Sequence, residues 1–313
     1  MQKKIIAVNM NPCADKTMTF DAITPGGLNR AVSSRTDYSG KGVNVVRVLN
    51  ALGLPSFCAG ISYSDGGAQL KRSLEADGVE YDFVEVEGVM RTNVKAYDER
   101  AGIMTELNER GGRVPPESVE ELIDKLIKLS DDASLYVLSG SVPEGVLENV
   151  YGRIIGSLPR NDVILDADGA AFKEGLAAGP YAVKPNLYEL ESAFGVRLKT
   201  HGEIVALCRK MIRGGSAKVV LVSLGADGAI ICGGERGYYS PAPEIRVRGL
   251  QGAGDSMVAG MCAAIVNEKP PYEMLRYAMA AAAGSIAREG TLLCTAEGFA
   301  AAYDLVKISE IRA

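Results

Sequence analysis

Nine residues, Gly252-Ala253-Gly254-Asp255-Ser256-Met257-Val258-Ala259-Gly260, place two glycines and a carboxylate just ahead of an apolar run that extends to Val266. The run has helical spacing and no breaker after Gly260, so the stretch reads as a tight turn feeding a helix N-terminus. Glycines let backbone N–H groups converge without interference from a Cβ. A helix start adds about half a positive charge and several unpaired N–H donors. Such a turn holds a phosphate or a developing oxyanion. A carboxylate there repels a bound phosphate unless it serves another purpose. General-base chemistry gives it one, in which Asp255 draws a proton from a hydroxyl while the turn holds the phosphoryl group under attack. The competing reading is an N-cap, since Asp is a favoured capping residue and Gly-Ala-Gly an ordinary loop. Taken alone, these nine residues favour the cap.

More chemistry-bearing residues follow apolar runs elsewhere. Asp15 comes just after the buried-strand pattern Lys4 to Met10, where open α/β sheets bind ligands. A loop-capping aspartate is the alternative there. Gly40-Lys41-Gly42 opens an amphipathic helix that ends at Gly53, a second anion-friendly turn. It lacks Walker A spacing, and Lys41 can equally be a solvated surface lysine. Ser139, Asp166, Lys184 and Ser223 each stand just past an apolar strand pattern. In a parallel sheet those ends share one rim. The single histidine, His201, has the setting of a helix-start surface residue. Ser-His-Asp, Cys-His and H-E-x-x-H chemistries are therefore excluded.

The elements that must position these residues alternate. Phe57 to Ser62, a helix around 68–76 and Tyr81 to Val86 form one strand–helix–strand unit. From Pro115 onward helices alternate with strands at Leu135 to Leu138, Val163 to Leu165, Tyr181 to Val183 and Lys218 to Val222. One helix is expected through Ile212 before the last of these. Strands at Ala229 to Cys232 and Gly237 to Tyr239 come next, and the chain ends in helices over 256–267, 272–288 and 296–306. This pattern predicts an α/β fold with a mainly parallel, doubly wound sheet. Four segments do not fit that core: Thr17 to Ala22, Leu28 to Tyr38, Arg91 to Tyr97 and Gly102 to Asn108. They are polar and Thr-containing with strand alternation, which predicts a small sheet standing off the main body.

Bulk properties narrow the function. The 313 residues are 47% hydrophobic and 23% charged, with a formal net charge of -5 and no basic block. Nucleic-acid and anionic-membrane partners are not expected. The six cysteines form no C-x-x-C pair and most lie in apolar runs, as buried thiols of a reducing compartment do. No apolar run has signal-peptide or membrane-spanning length, so a cytoplasmic protein is expected.

Seven motifs together resemble the PfkB (ribokinase-like) family of sugar kinases over nearly the whole chain. They are Asn11-Pro12-x-x-Asp15, Ser39-Gly40-Lys41-Gly42-x-Asn44, Arg91-Thr92-Asn93, Ser139-Gly140-Ser141, Lys184-Pro185-Asn186-x-x-Glu189, Ser223-Leu224-Gly225 and Gly252-Ala253-Gly254-Asp255. The branch most resembled contains 1-phosphofructokinase and tagatose-6-phosphate kinase. The resemblance implies one ribokinase-like kinase domain over 1–313, with a discontinuous β lid from about 12–38 and 88–110. It implies ATP as phosphoryl donor, Asp255 as base, and the Gly252, Ala253 and Gly254 backbone as the phosphoryl cradle. Asn186 and Glu189 would hold Mg²⁺ largely through water; a first-turn helix carboxylate is the plainer reading of Glu189. Lys184, Ser223, Gly225 and Gly228 would meet ATP. Asp15, Gly40 and Asn44 would bind sugar hydroxyls, and Lys41, Arg91, Arg30 and Ser139 a phosphate already on the sugar. The substrate implied is a ketohexose phosphate, fructose 1-phosphate ahead of tagatose 6-phosphate, and the assembly a homodimer joined through the lid. Rivals are a kinase for an unphosphorylated sugar or nucleoside and a catalytically dead binding regulator. Two positions depart from the pattern, Leu250-Gln251 before the glycine turn and Cys13-Ala14 before Asp15.

Overall fold

The computed structural model describes residues 3–160 and 162–311. The first part of the chain runs β1 (Lys4–Asn9), β2 (Cys13–Phe20), β3 (Ser33–Ser39), α1 (Lys41–Ala51), β4 (Ser56–Asp65), α2 (Gly67–Ala76) and β5 (Glu80–Val89). The middle continues with β6 (Arg91–Asp98), β7 (Ile103–Asn108), α3 (Pro116–Lys128), β8 (Ala133–Ser139), α4 (Val150–Ser157), β9 (Val163–Asp166), α5 (Gly169–Ala177) and β10 (Ala182–Val183). The remainder is α6 (Leu187–Phe194), α7 (His201–Arg213), β11 (Val219–Ser223), β12 (Ala229–Gly233), β13 (Arg236–Ser240), α8 (Ala253–Val266), α9 (Pro271–Ile286), α10 (Ala296–Tyr303) and β14 (Ser309–Ile311).

Ten strands form the main sheet in the order β14-β13-β12-β11-β10-β9-β8-β1-β4-β5. It is parallel from β11 to β5, and β12, β13 and β14 extend it antiparallel. The inner parallel strands include near-continuous apolar runs, such as Val219 to Val222, because helices cover both faces, whereas the edge strand β5 alternates polar and apolar residues. The second sheet has the order β3-β2-β6-β7 and stands apart, as the polar alternation predicts.

Three expectations need correction. The segment Leu28 to Tyr38 is strand only from Ser33, because Asn29 bonds Thr24 and Gly27 and closes the preceding residues into a loop. The single helix expected up to Ile212 is two helices. Gly195 ends α6 in the left-handed conformation, and Thr200 starts α7 with a capping box to Glu203. Strand β14 has no counterpart in the sequence pattern: it is three residues long, two of them polar, and pairs with β13 at the sheet edge.

Register places the functional edge. Asn9 pairs with Gly60 on one side and Ser139 on the other, and Ser139 pairs with Asp166. Lys184 follows β10, whose Val183 pairs with Leu165. The strand ends thus form one row at the carboxyl rim.

Helix α8 brings its N-terminus to this rim, where Asp255 meets Asn44, and is buried over most of its length, packed against α9 and α1. Its approach to α9 depends on Gly260: a Cβ there would lie 2.4 Å from the Tyr277 carbonyl oxygen. Backbone cannot yield as a flexible side chain can. Gly260→Ala is therefore expected to cost about 1–3 kcal/mol, the usual range for overpacking. Urea unfolding with an unchanged m-value checks this, and an unaltered midpoint would contradict it. All six cysteines are free and buried. Among the described residues, no helix is long and apolar enough to cross a membrane.

Candidate active site

Helix α8 begins one turn earlier than the sequence pattern suggested, and its cap is Gly252. Gly252 has φ 70°, and a Cβ on it would lie 2.3 Å from Leu293 Cδ2. The positive φ favours glycine here, and a side chain would also have to displace the Leu293 methyl. Asp255 is the third helical residue and makes no capping bond, which removes the N-cap reading. Its Oδ2 accepts instead from Asn44 Nδ2 of α1 at 2.7 Å. Asn44 is fixed in turn by Ser39, whose Oγ donates to Asn44 Oδ1 at 2.8 Å. Burial pushes the Asp255 carboxyl above its ordinary range, and Asp166 adds to this, while Lys41, Asn44 and Lys184 oppose it. A buried carboxyl held upward, beside a glycine turn at a helix start, has the setting in which proton acceptors are tuned.

Asp166 is the charged hub of the rim. It is 1% exposed. Lys184 Nζ lies 3.1 Å from Oδ1 and Lys41 Nζ 3.6 Å from Oδ2. Ser139 Oγ donates to Oδ2 at 3.0 Å. Burial alone would push the Asp166 carboxyl up, but Lys184 and Lys41 outweigh it and hold the carboxyl below its usual range. Lys41 is correspondingly held up, foremost by Asp166 and further by Asp255, Glu189 and Asp168. It opens α1 directly after Gly40. Lys184 reaches the glycine turn as well, with Nζ 3.6 Å from the position of a Cβ on Gly254. The sequence shows Asp166 only as a strand-end carboxylate; that two lysines converge on it follows from the register of β8, β9 and β10.

Asn186 and Glu189 form a reciprocal capping box at the start of α6: Glu189 N–H donates to Asn186 Oδ1, and Asn186 N–H to Glu189 Oε2, each at 2.8 Å. The first-turn reading of Glu189 thus describes its geometry. Burial pushes its carboxyl up, against Asn186, Lys184 and Lys41. Glu189 Oε1 takes no bond from a described residue, which suits a cation that keeps its waters. Among the described residues no group of three or more His, Cys, Asp or Glu forms a metal cage. Any Mg²⁺ here needs oxygens from nucleotide and water, and the donor set fits that.

The turn from Leu224 to Gly228 is closed by Leu224 N–H donating to the Gly228 carbonyl at 2.8 Å. A Cβ on Gly228, at φ 97°, would lie 2.0 Å from the Ser240 oxygen, so the turn requires glycine there. Gly225 starts the turn, and Ser223 N–H donates to the Pro185 carbonyl at 3.1 Å, joining this loop to the Lys184–Glu189 segment.

The second sheet brings Asp15, Asn93 and Lys95 together. Asp15 and Asn93 are register partners, and Asn93 Nδ2 donates to Asp15 Oδ1 at 3.1 Å. Lys95 Nζ is 3.2 Å from the same oxygen. Cys13 lies close by, its thiol pushed up to about 12 by burial and by Asp15, so it stays protonated. Arg91 donates from NH1 to the Glu109 carbonyl and from NH2 to the Asn11 carbonyl. Its Nε is buried without a partner, as are Asn11 Oδ1 and Asn93 Oδ1. Orphaned buried polar atoms on one face mark a place where a polar ligand belongs. Lys95 is not among the residues the motifs single out. Its signal is the alternation of β6, which sends Arg91, Asn93 and Lys95 to one face. Arg30 is exposed on the segment before β3, and the structure does not bring it to this cluster.

The model of the pfkB family carbohydrate kinases matches residues 8–297. The chain belongs to that family. This pfkB-family chain is 31% identical over 280 residues to the 1-phosphofructokinase of Borreliella burgdorferi, covering 88% of the chain and 90% of that protein. It is 31% identical over 314 residues to the 1-phosphofructokinase of Rhodobacter capsulatus, covering 99% of each. Among solved structures, phosphofructokinase-2 from Escherichia coli in complex with fructose-6-phosphate superposes with a TM-score of 0.90 at 25% identity, covering 97% of this chain and 99% of that one. The ribokinase-like α/β fold inferred from the motifs is thus the observed one.

Proposed function

We propose that this pfkB-family kinase transfers the γ-phosphoryl group of ATP to the free primary hydroxyl of a ketohexose phosphate, with fructose 1-phosphate the best acceptor and tagatose 6-phosphate the second. The observation that carries the proposal is Asp255: a buried carboxylate, held upward, at a glycine-bounded helix start beside two lysines. Asn44 orients the carboxylate, which takes the acceptor's proton. The Gly252, Ala253 and Gly254 backbone and Lys184 then face the charge that spreads over the phosphoryl group during transfer. Mg²⁺, when bound, neutralises phosphate charge, and Asn186 and Glu189 would hold it largely through water. Ser223, Gly225 and Gly228 shape the ATP side. Asp15, Gly40 and Asn44 meet sugar hydroxyls.

Lys41 and Arg91 supply the positive charge for the phosphate already on the sugar. Ser139 contributes by fixing Asp166, and Arg30 joins only if the 21–32 segment moves. The decisive experiment is an ADP-release screen of the purified protein with fructose 1-phosphate, tagatose 6-phosphate, fructose 6-phosphate and free sugars. Equal turnover of free fructose would remove the phosphate pocket from the reading.

Arg91 gives a sharper test of that pocket. Its NH1 and NH2 donate to backbone carbonyls while its Nε is buried without a protein partner, so the guanidinium keeps a donor for a phosphate. A charge-assisted contact contributes roughly 1.5–3 kcal/mol. Arg91→Ala is expected to lower kcat/KM for the phosphosugar by about ten- to more than a hundredfold, with KM for ATP nearly unchanged. An effect confined to ATP would sink the assignment.

The small sheet acts as a lid over the sugar that excludes water, on this reading. Leu28, Val32, Ile103 and Leu107 on or beside it are 78%, 62%, 58% and 61% exposed. Such a face needs cover. We expect a homodimer through residues 17–38 and 91–108. A related chain, E. coli phosphofructokinase-2, has a tetrameric inhibited form. Light scattering at micromolar concentration decides, and a monomer would count against the interface. Six free buried thiols fit a cytoplasmic setting.

A further inference from the structure

We infer that Lys95 is a positioning residue that couples sugar occupancy at Asp15 to the phosphate turn, acting through Gln251. The inference rests on the phosphosugar-kinase reading above. Lys95 is 6% exposed, an unusual burial for a lysine unless it is paired. It has two partners on different parts of the molecule. One is Asp15 Oδ1 on β2, 3.2 Å away. The other is Gln251 Oε1, which accepts from Lys95 Nζ at 2.9 Å. Gln251 is the residue before Gly252, whose backbone sets the turn. The other end of the Gln251 amide donates to Glu106 Oε1 at 3.4 Å, and Glu106 is the register partner of Lys95 across β6 and β7. The second sheet is thereby tied to the start of α8 by a side-chain chain of acid, ammonium and amide.

The tie faces a ligand. An ammonium has three donors; Lys95 gives one to Gln251 in a hydrogen bond and meets Asp15 as an ion pair, which leaves a donor over. Asn93 donates to the same Asp15 oxygen while its own Oδ1 is buried without a partner. One free donor and one free acceptor are therefore presented beside Asp15, as a polyhydroxylated ligand requires. A sugar hydroxyl arriving there competes for the ammonium that holds Gln251. The position of Gln251 in turn sets the residue that starts the phosphate turn. Any such coupling is reciprocal, so sugar changes nucleotide affinity and nucleotide changes sugar affinity by one factor.

The test is calorimetric, on the full chain, with AMP-PNP and Mg²⁺ in the absence and presence of saturating fructose 1-phosphate. The wild-type protein is expected to show a ratio of AMP-PNP Kd values of about fivefold or more, the lower end of allosteric couplings. Gln251→Leu removes the acceptor and leaves the Lys95–Asp15 pair. It should bring the ratio close to one while fructose 1-phosphate still binds alone. Lys95→Met should abolish the ratio and weaken fructose 1-phosphate as well. Thermal unfolding of both variants separates loss of coupling from loss of fold, since a merely destabilised protein weakens both ligands and keeps their ratio. A wild-type ratio near one, or a ratio that persists in both variants, overturns the inference. If fructose 1-phosphate fails to bind the wild-type protein, the substrate reading fails instead, and the same ratio is read with the acceptor found in the ADP-release screen.

Discussion

Asp255→Asn lowers kcat by at least the ~10²–10⁴ that general-base removal produces, and leaves ATP binding largely intact. The variant keeps the shape and can still bond Asn44, so the loss reads the base itself. The wild-type pH profile carries a second signature. The base works only when ionised, and burial raises the pKa of the Asp255 carboxyl above its ordinary 3.8. Activity should therefore fall on acidification through a limb above that value, and the limb should vanish from the residual activity of the variant. Near-normal turnover of Asp255→Asn would end the assignment.

The second large effect is on stability. Asp166 is 2% exposed at the side chain, with Lys184 nearly as deep at 6%. Asp166→Asn keeps a partner for Ser139 but leaves the Lys184 ammonium without its counter-charge. Breaking a buried pair by removing one partner costs about 3–5 kcal/mol. Denaturant unfolding should show a loss of that order, and a loss under about 1 kcal/mol would show that Lys184 finds solvent or another acceptor. The pH dependence has a definite sign. The folded-state pKa of Asp166 lies below the ordinary 3.8, so its charge stabilises the fold at pH above the unfolded value. That contribution disappears as pH falls through the folded-state value. Wild type and variant should thus converge in stability under strongly acidic conditions.

The sequence made the body of the fold legible because β8, β9, β10 and β11 are short apolar runs closed by a polar residue. Those closing residues, Ser139, Asp166, Lys184 and Ser223, proved to share one edge. The motif Gly252 to Asp255 was ambiguous locally: glycine and aspartate serve a cap as well as a base. What separated the readings was Asn44, 211 positions away in the chain, and no local pattern reports that contact. Asn186 and Glu189 show the converse. Their spacing suits a metal and a capping box alike, and in the structure they make the box. Lys95 was missed because a lysine in a polar strand looks solvated; its burial goes with contacts to Asp15 and to Gln251, the latter 156 positions away in the chain. The extent of β3 was overestimated because Leu28 and Val32 carry strand-like apolar character while Asn29 imposes a loop.

Helix α8 has apolar neighbours on nearly every side, whereas β7 is exposed along its full length. The two halves of the site therefore rest on supports of very different stiffness. A side chain in a packed interior is costly to change, because any alteration of volume is transmitted to its neighbours. Residues on a peripheral sheet tolerate replacement. Substitutions along β7 can consequently reshape the outer edge of the second sheet, while the interlocked Asp15, Asn93 and Lys95 and the Asp255 carboxyl with its helix stay where they are.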